Sequence, residues 1–120
     1  MLCNMQIEDY HFGAIRIDGE EYDYDVILDR GSITKRKKKL SKKFRELFGH
    51  TPISLNEDIP WKCETLIIGT GAHGALPVMD DVKEEAARRH VELDIVTTPE
   101  AVIRLNASLK DTNAILHVTC

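Results

Sequence analysis

The chain has 120 residues, 42% hydrophobic and 30% charged, the composition expected of one soluble globular domain large enough to bury a core. No apolar run approaches the roughly 18 residues of a membrane span. The start, Met1-Leu2-Cys3-Asn4-Met5-Gln6, lacks the basic and apolar regions of a secretory signal, so cytoplasm is the expected compartment, with Met1 or Met5 as the first residue.

Cys3, Cys63 and Cys120 are far apart and odd in number, which argues against a disulfide framework or a zinc finger and for reduced thiols. The net charge of −4 conceals an asymmetry: residues 35–45 carry +8 with no acid, leaving −12 on the rest.

In chain order, the first region, residues 5–34, reads as a β-hairpin. Ile15 and Ile17 alternate with Arg16 and Asp18, the period-2 pattern of a half-buried strand. Asp18-Gly19 is a hairpin turn signal, and Glu21 to Leu28 is the return strand, whose Val26-Ile27-Leu28 end is expected in the core. Asp29-Arg30-Gly31-Ser32 closes it.

Residues 35–62 form a basic segment and an irregular connection. Five consecutive cations, Lys35 to Lys39, repel one another and disfavour regular structure. Leu40, Phe44, Leu47 and Phe48 fall on one helical face, so Ser41 to Phe48 predicts a short amphipathic helix ended by Gly49. Pro52 and Pro60 break the following stretch, and Trp61 is placed at the core edge.

Residues 63–120 read as βαβαβ. Thr65 to Gly69 is a strand and Val78 to His90 a helix with Val82, Ala86 and Met79 inward; Glu92 to Thr97 is the next strand. Thr98 predicts an N-cap with Pro99 at N1. Ala101, Val102, Leu105 and Leu109 line the helix it opens, and Ala114 to Val118 is the last strand after an Asp111-Thr112-Asn113 turn. No internal repeat or linker interrupts the chain, so residues 1–120 form a single α/β domain.

Ile17-Asp18-Gly19-Glu20-Glu21-Tyr22 with Asp25-Val26-Ile27-Leu28, a lone Trp61, Leu66-Ile67-Ile68-Gly69-Thr70-Gly71 with Leu76-Pro77, and Thr98, Ala101 and Asn106 form a recognisable series. Over roughly Met5 to Val118 it resembles the small domain-of-unknown-function family that includes the adipogenesis-associated protein of animals and the mitochondrial complex I assembly factor three. The resemblance implies three layers around a central mixed five-stranded sheet, with flanking helices and an N-terminal β-hairpin. It implies little about activity, the mitochondrial branch being an assembly factor rather than an enzyme. The chain departs from the pattern at Leu105, where many relatives carry an aromatic, and in its Lys-rich stretch, which lies outside the motif.

Gly69-Thr70-Gly71-Ala72-His73-Gly74 formally satisfies G-x-G-x-x-G. Pro77 starts the helix beyond the third glycine, and no acid closes the second strand, so the dinucleotide reading fails. A small anionic ligand on the loop N–H groups, the Thr70 hydroxyl and the His73 imidazole is the alternative to a purely structural loop. The candidate ligand residues are Gly69, Thr70, Gly71, His73, Gly74 and Asn106, although Asn106 also fits as a tie between its helix and a loop.

Lys35, Arg36, Lys37, Lys38, Lys39, Lys42 and Lys43 are candidates for nucleic acid or an acidic partner, but no interleaved aromatics support nucleic acid over a solvated loop. The spacing of His11, His50, His90 and His117 offers no metal site, and Cys63 reads as packing.

No catalytic constellation is complete, and no cofactor or membrane contact is expected. The leading reading is a non-enzymatic binding or assembly-type module acting through an unknown protein partner. The second is a small-molecule or anion-binding protein or enzyme using loop 69–74; the third is nucleic-acid binding through residues 35–45.

Overall fold

The computed structural model describes residues 5–107 and 111–120, so Cys3 and the predicted helical position Leu109 lie outside the described residues. Three strands, β1 (Ile7–His11), β2 (Ala14–Ile17) and β3 (Glu20–Tyr22), form a small antiparallel sheet. Five more make the central sheet: β4 (Val26–Asp29), β5 (Ser32–Lys35), β6 (Thr65–Gly69), β7 (Glu92–Val96) and β8 (Thr112–Leu116). Their order is β5-β4-β8-β6-β7. β6 runs parallel to β7 and β8, while β4 is antiparallel to β5 and β8, so the sheet is mixed. Helix α2 (Asp80–Arg88) joins β6 to β7, and α3 (Thr98–Ala107) joins β7 to β8.

Side-chain alternation on the central strands sorts the core into two clusters, as the pleat requires. Val26 and Leu28 of β4, Ile67 of β6, and Ala114 and Leu116 of β8 face one way. They pack against Ile7, Ile15 and Ile17 of the small sheet and Ala101 of α3. Ile27, Leu66, Ile68 and Ile115 face the other way, against Val82 and Ala86 of α2 and Ile53 and Ile59 of the connection. The result is three layers, as the resemblance implies. Trp61 packs half-buried against the second cluster with the Arg89 guanidinium 5.3 Å from its ring centroid.

Besides β8, which starts at Thr112 inside the predicted Asp111-Thr112-Asn113 turn and ends at Leu116 rather than Val118, the structure differs from the sequence reading in three places. The N-terminal hairpin gains a third strand, β1, and the expected return strand breaks at residues 23–25. Its first half stays in the small sheet, while Val26–Asp29 crosses into the central one. The break leaves Asp23 exposed and sets Asp25, buried, immediately before β4.

The basic segment is also ordered. Lys35 ends β5, a 3₁₀ helix covers Lys38–Phe44, and a single turn, α1 (Arg45–Phe48), ends at Gly49, whose φ of 74° is the left-handed C-cap conformation. Leu40, Leu47 and Phe48 stay exposed there, so the predicted amphipathic face is not buried.

Finally, the cap of α3 lies one residue earlier than predicted. Thr97 Oγ1 faces the Glu100 N–H at 3.4 Å, because the Thr98 hydroxyl turns inward to another task.

Candidate functional site

That task is to hold the glycine loop. The Gly71 N–H donates to Thr98 Oγ1 at 2.8 Å, and the same hydroxyl donates to the His117 carbonyl at 2.7 Å. Thr70, nearly fully buried, donates both its N–H and its hydroxyl to the Val96 carbonyl, each at 2.8 Å. The N–H groups of Ala72 and His73 donate to the carbonyls of Thr119 and Cys120 at 3.1 and 2.8 Å, and that of Gly74 to Gly71 at 3.3 Å. Every N–H from Thr70 to Gly74 is thus engaged within the chain. Gly69 has no room for a side chain, because a Cβ there would lie 2.9 Å from Thr98 Oγ1.

His73 projects into solvent. Asn106 lies about 12 Å along α3 from Thr98, where its amide accepts from the Ile7 N–H at 3.0 Å and donates to the Ile7 carbonyl at 2.9 Å. The six candidate ligand residues therefore do not converge: five belong to a loop that clamps residues 117–120, and Asn106 ties α3 to β1.

A different group does converge. Val26 pairs with Lys35 on one side and Leu116 on the other, so one step beyond those pairs Asp25 meets both Arg36 and His117. Arg36 Nη1 donates to Asp25 Oδ2 at 2.9 Å, and His117 Nδ1 lies 2.8 Å from the same oxygen. The Val118 N–H donates to Asp25 Oδ1 at 3.0 Å.

Arg36 also forks onto Glu57, Nε to Oε1 at 2.7 Å and Nη2 to Oε2 at 2.9 Å, and donates to the carbonyls of Thr51 and Pro52. Its side chain is 1% exposed. Ser41, itself buried, donates to Glu57 Oε2 and contacts Ser54 Oγ at 2.6 Å. Sequence reasoning places Arg36 among the solvated cations; the structure makes it the buried centre of an ion cluster.

Burial alone would raise the Asp25 carboxyl, but the His117 hydrogen bond and charge, the Arg36 guanidinium and the Val118 N–H together hold it below its ordinary 3.8. A folded value below the unfolded one means Asp25 adds stability above pH 3.8, which is lost as pH falls through the folded value. In melts at stepped pH, the gap between wild type and Asp25→Asn should therefore narrow steadily below 3.8. A gap unchanged down to the acid limit would rule out this coupling.

Above this cluster lies a cleft of about 360 Å³. Lys38, Lys39, Lys42 and Arg45 rim it, Arg36 and His117 lie beneath, and His50, Thr119 and Cys120 form a wall with Leu76. It sits beyond the C-terminal end of β8, the position where open α/β sheets bind ligands. Among the described residues, none of the four rim cations has a carboxylate within ion-pair distance, whereas Lys37 reaches Asp58 at 3.4 Å. Lys43 lies over the Phe44 ring and Lys35 over Tyr24, so the predicted basic set divides into cleft cations, a buried ion-pair centre and outward-facing lysines.

On the wall, Cys120 Sγ is 3.5 Å from His50 Nδ1, and Thr119 Oγ1 is 3.2 Å from His117 Nε2. Sequence reasoning misses Glu57, His50, His117, Thr119 and Cys120 as site residues. The one usable signal is Asp25, an acid directly preceding the apolar Val26-Ile27-Leu28 run.

The remaining sites are quieter. Cys63 donates to the Pro60 carbonyl at 3.4 Å, and burial pushes its thiol upward, in keeping with packing. Among the described residues no group of three or more His, Cys, Asp and Glu is arranged to hold a metal ion, and no helix is long and apolar enough to cross a membrane.

A family model described as a protein of unknown function (DUF498/DUF598) matches residues 7–117. Among solved structures, the conserved hypothetical protein PH1505 from Pyrococcus horikoshii is 30% identical, with a TM-score of 0.78 over 97% of this chain and all of that one. The structure named MT938 is 28% identical, with a TM-score of 0.73 over 97% of this chain and 99% of that one. A Bordetella pertussis protein described as a Mth938-like domain shares the fold at 13% identity and a TM-score of 0.64, over 98% of this chain and 88% of that one. No curated protein matches.

Proposed function

The chain belongs to the DUF498/DUF598 family of proteins of unknown function, and from that premise we propose that its cleft binds a small polyvalent anion. The observation that carries this reading is the set Lys38, Lys39, Lys42 and Arg45, four cations around one concavity with no carboxylate partner among the described residues. Like charges held together raise the energy of the empty cleft, and an anion with two or more charges relieves that repulsion at several points at once. Its volume lies within the range of small-molecule sites. The buried Asp25–Arg36–Glu57 cluster anchors one wall, and its carboxylates are turned onto Arg36 rather than onto the rim cations.

This reading moves the anion site away from loop 69–74, whose donors are spent on carbonyls. The loop keeps an indirect part, because it fixes residues 117–120 that form the cleft wall. An assembly-type module would use the same cations for an acidic segment of a protein partner, with exposed Leu47 beside them. A concave site of this size favours the small ligand.

Inorganic pyrophosphate, titrated by calorimetry and by melting temperature at low ionic strength, is expected to bind and stabilise. At ~100 times its dissociation constant it should add ~2.7 kcal/mol. Binding should weaken by about tenfold or more in the Lys38→Gln/Lys42→Gln variant and fall steeply with salt. The absence of any shift at millimolar pyrophosphate would refute the proposal, as would tighter binding of an acidic peptide or a single-stranded oligonucleotide.

A further inference from the structure

We propose that Cys120 is a nucleophilic thiol that exchanges with small anionic disulfides drawn into the cleft. The choice of an anionic partner rests on the anion-binding reading above; the nucleophile rests on separate geometry.

Cys120 forms part of the cleft wall with its sulfur 3.5 Å from His50 Nδ1, so a base stands within reach of the thiol proton. A second polar line reaches the same sulfur. Asp25 orients His117, His117 Nε2 meets the Thr119 hydroxyl, and that hydroxyl lies 3.8 Å from Cys120 Sγ. The backbone at 119 and 120 is held by the Ala72 and His73 N–H groups, which fixes the main chain from which the sulfur reaches the cleft wall. Cys63 has none of these features: its thiol donates to a backbone carbonyl at the core edge.

In the exchange, the Cys120 sulfur attacks one sulfur of the disulfide as its proton passes to His50. The old S–S bond breaks, a new one forms to Cys120, and the departing thiolate takes the proton from His50. The disulfide is itself the oxidant, so no further reagent is required. The rim cations Lys38, Lys39, Lys42 and Arg45 concentrate a disulfide carrying carboxylates and repel one carrying amines.

The test uses the full chain, with glutathione disulfide as the anionic probe and cystamine as the cationic one. Mixed-disulfide formation is followed at Cys63 and Cys120 by peptide mass mapping and normalised to a free model thiol. Cys120 is expected to react ahead of Cys63 with both probes, and to favour glutathione disulfide by about tenfold at low salt. His50→Gln should slow Cys120 with both probes at an unchanged melting temperature. The Lys38→Gln/Lys42→Gln variant should abolish the charge preference while leaving the lead over Cys63. A Cys120 no faster than Cys63, or one indifferent to His50→Gln, would overturn the nucleophile. A lead that depends on His50 but shows no charge preference in the wild type would overturn the anionic partner alone.

Discussion

Arg36→Met is expected to cost about 3–5 kcal/mol, read as a fall in the denaturant midpoint, because it strands the buried Glu57 carboxylate and takes one partner from Asp25. Asp25 retains His117 and the Val118 N–H, but Glu57 is left with only Ser41 for a side-chain partner. For a domain whose whole stability is roughly 5–15 kcal/mol, a loss of that size threatens folding at ambient temperature. Arg36→Lys should recover only part of it. An ammonium supplies the charge but not the fork that reaches Asp25, Glu57 and the Thr51 and Pro52 carbonyls together.

The informative variant is Arg36→Met/Glu57→Met, which removes the stranded carboxylate together with its partner. It should be more stable than Arg36→Met by roughly 1–3 kcal/mol, the coupling typical of contacting groups. If the double variant were no better than the single one, the cost would lie in lost packing rather than uncompensated charge. Lys38→Met, two residues away and exposed, should change stability by only about 0.5 kcal/mol.

Arg36 also marks where the sequence stops being legible. It stands in a run of five cations with nothing local to set it apart from Lys35 or Lys37. Its burial follows from register: Lys35 pairs with Val26, so the next residue must meet Asp25. That pairing depends on β5, a four-residue edge strand with little apolar content, which leaves a weak trace in the sequence. His117 is hidden for the same reason, since its meeting with Asp25 depends on β8 lying antiparallel to β4.

The second half of the chain reads more easily because strand and helix periodicities alternate cleanly there and each element buries one face. Thr98 shows the limit even in that half. A threonine before a proline fits a cap, but Gly71 and the His117 carbonyl both need its hydroxyl, and Thr97 faces the Glu100 N–H instead. In the same way, the glycine loop is visible as a tight connection, but the sequence carries no sign of whether its N–H groups face solvent or the carbonyls of residues 119 and 120.

Gly71→Ala puts that last point to the test, and a loss of roughly 2–6 kcal/mol is expected from backbone strain and crowding together. Gly71 has a φ of 104°, a conformation that costs a residue with a side chain roughly 1–3 kcal/mol. A Cβ there would also lie 2.2 Å from the Thr119 carbonyl oxygen and 2.9 Å from the Cys120 carbonyl carbon. Both atoms are backbone, so either the loop or the 117–120 segment must move, at a further cost of roughly 1–3 kcal/mol.

Gly19 separates the two contributions. Its φ is also positive, at 85°, but nothing lies within 4 Å of where its Cβ would be. Its N–H donates to the Glu8 carboxylate rather than to residues 117–120, so Gly19→Ala should show the backbone cost alone. Chemical denaturation of both variants measures the difference, and equal losses would mean that residues 119 and 120 yield freely and the loop does not clamp them. The clamp carries a second consequence. Displacing Thr119 and Cys120 draws the Cys120 sulfur away from His50 and opens the cleft wall. Gly71→Ala should therefore slow mixed-disulfide formation at Cys120 and weaken pyrophosphate binding, while Gly19→Ala, in the β2–β3 turn, should leave both unchanged at temperatures where each variant is folded. That pairing distinguishes a loop that builds the cleft from one that only joins β6 to α2.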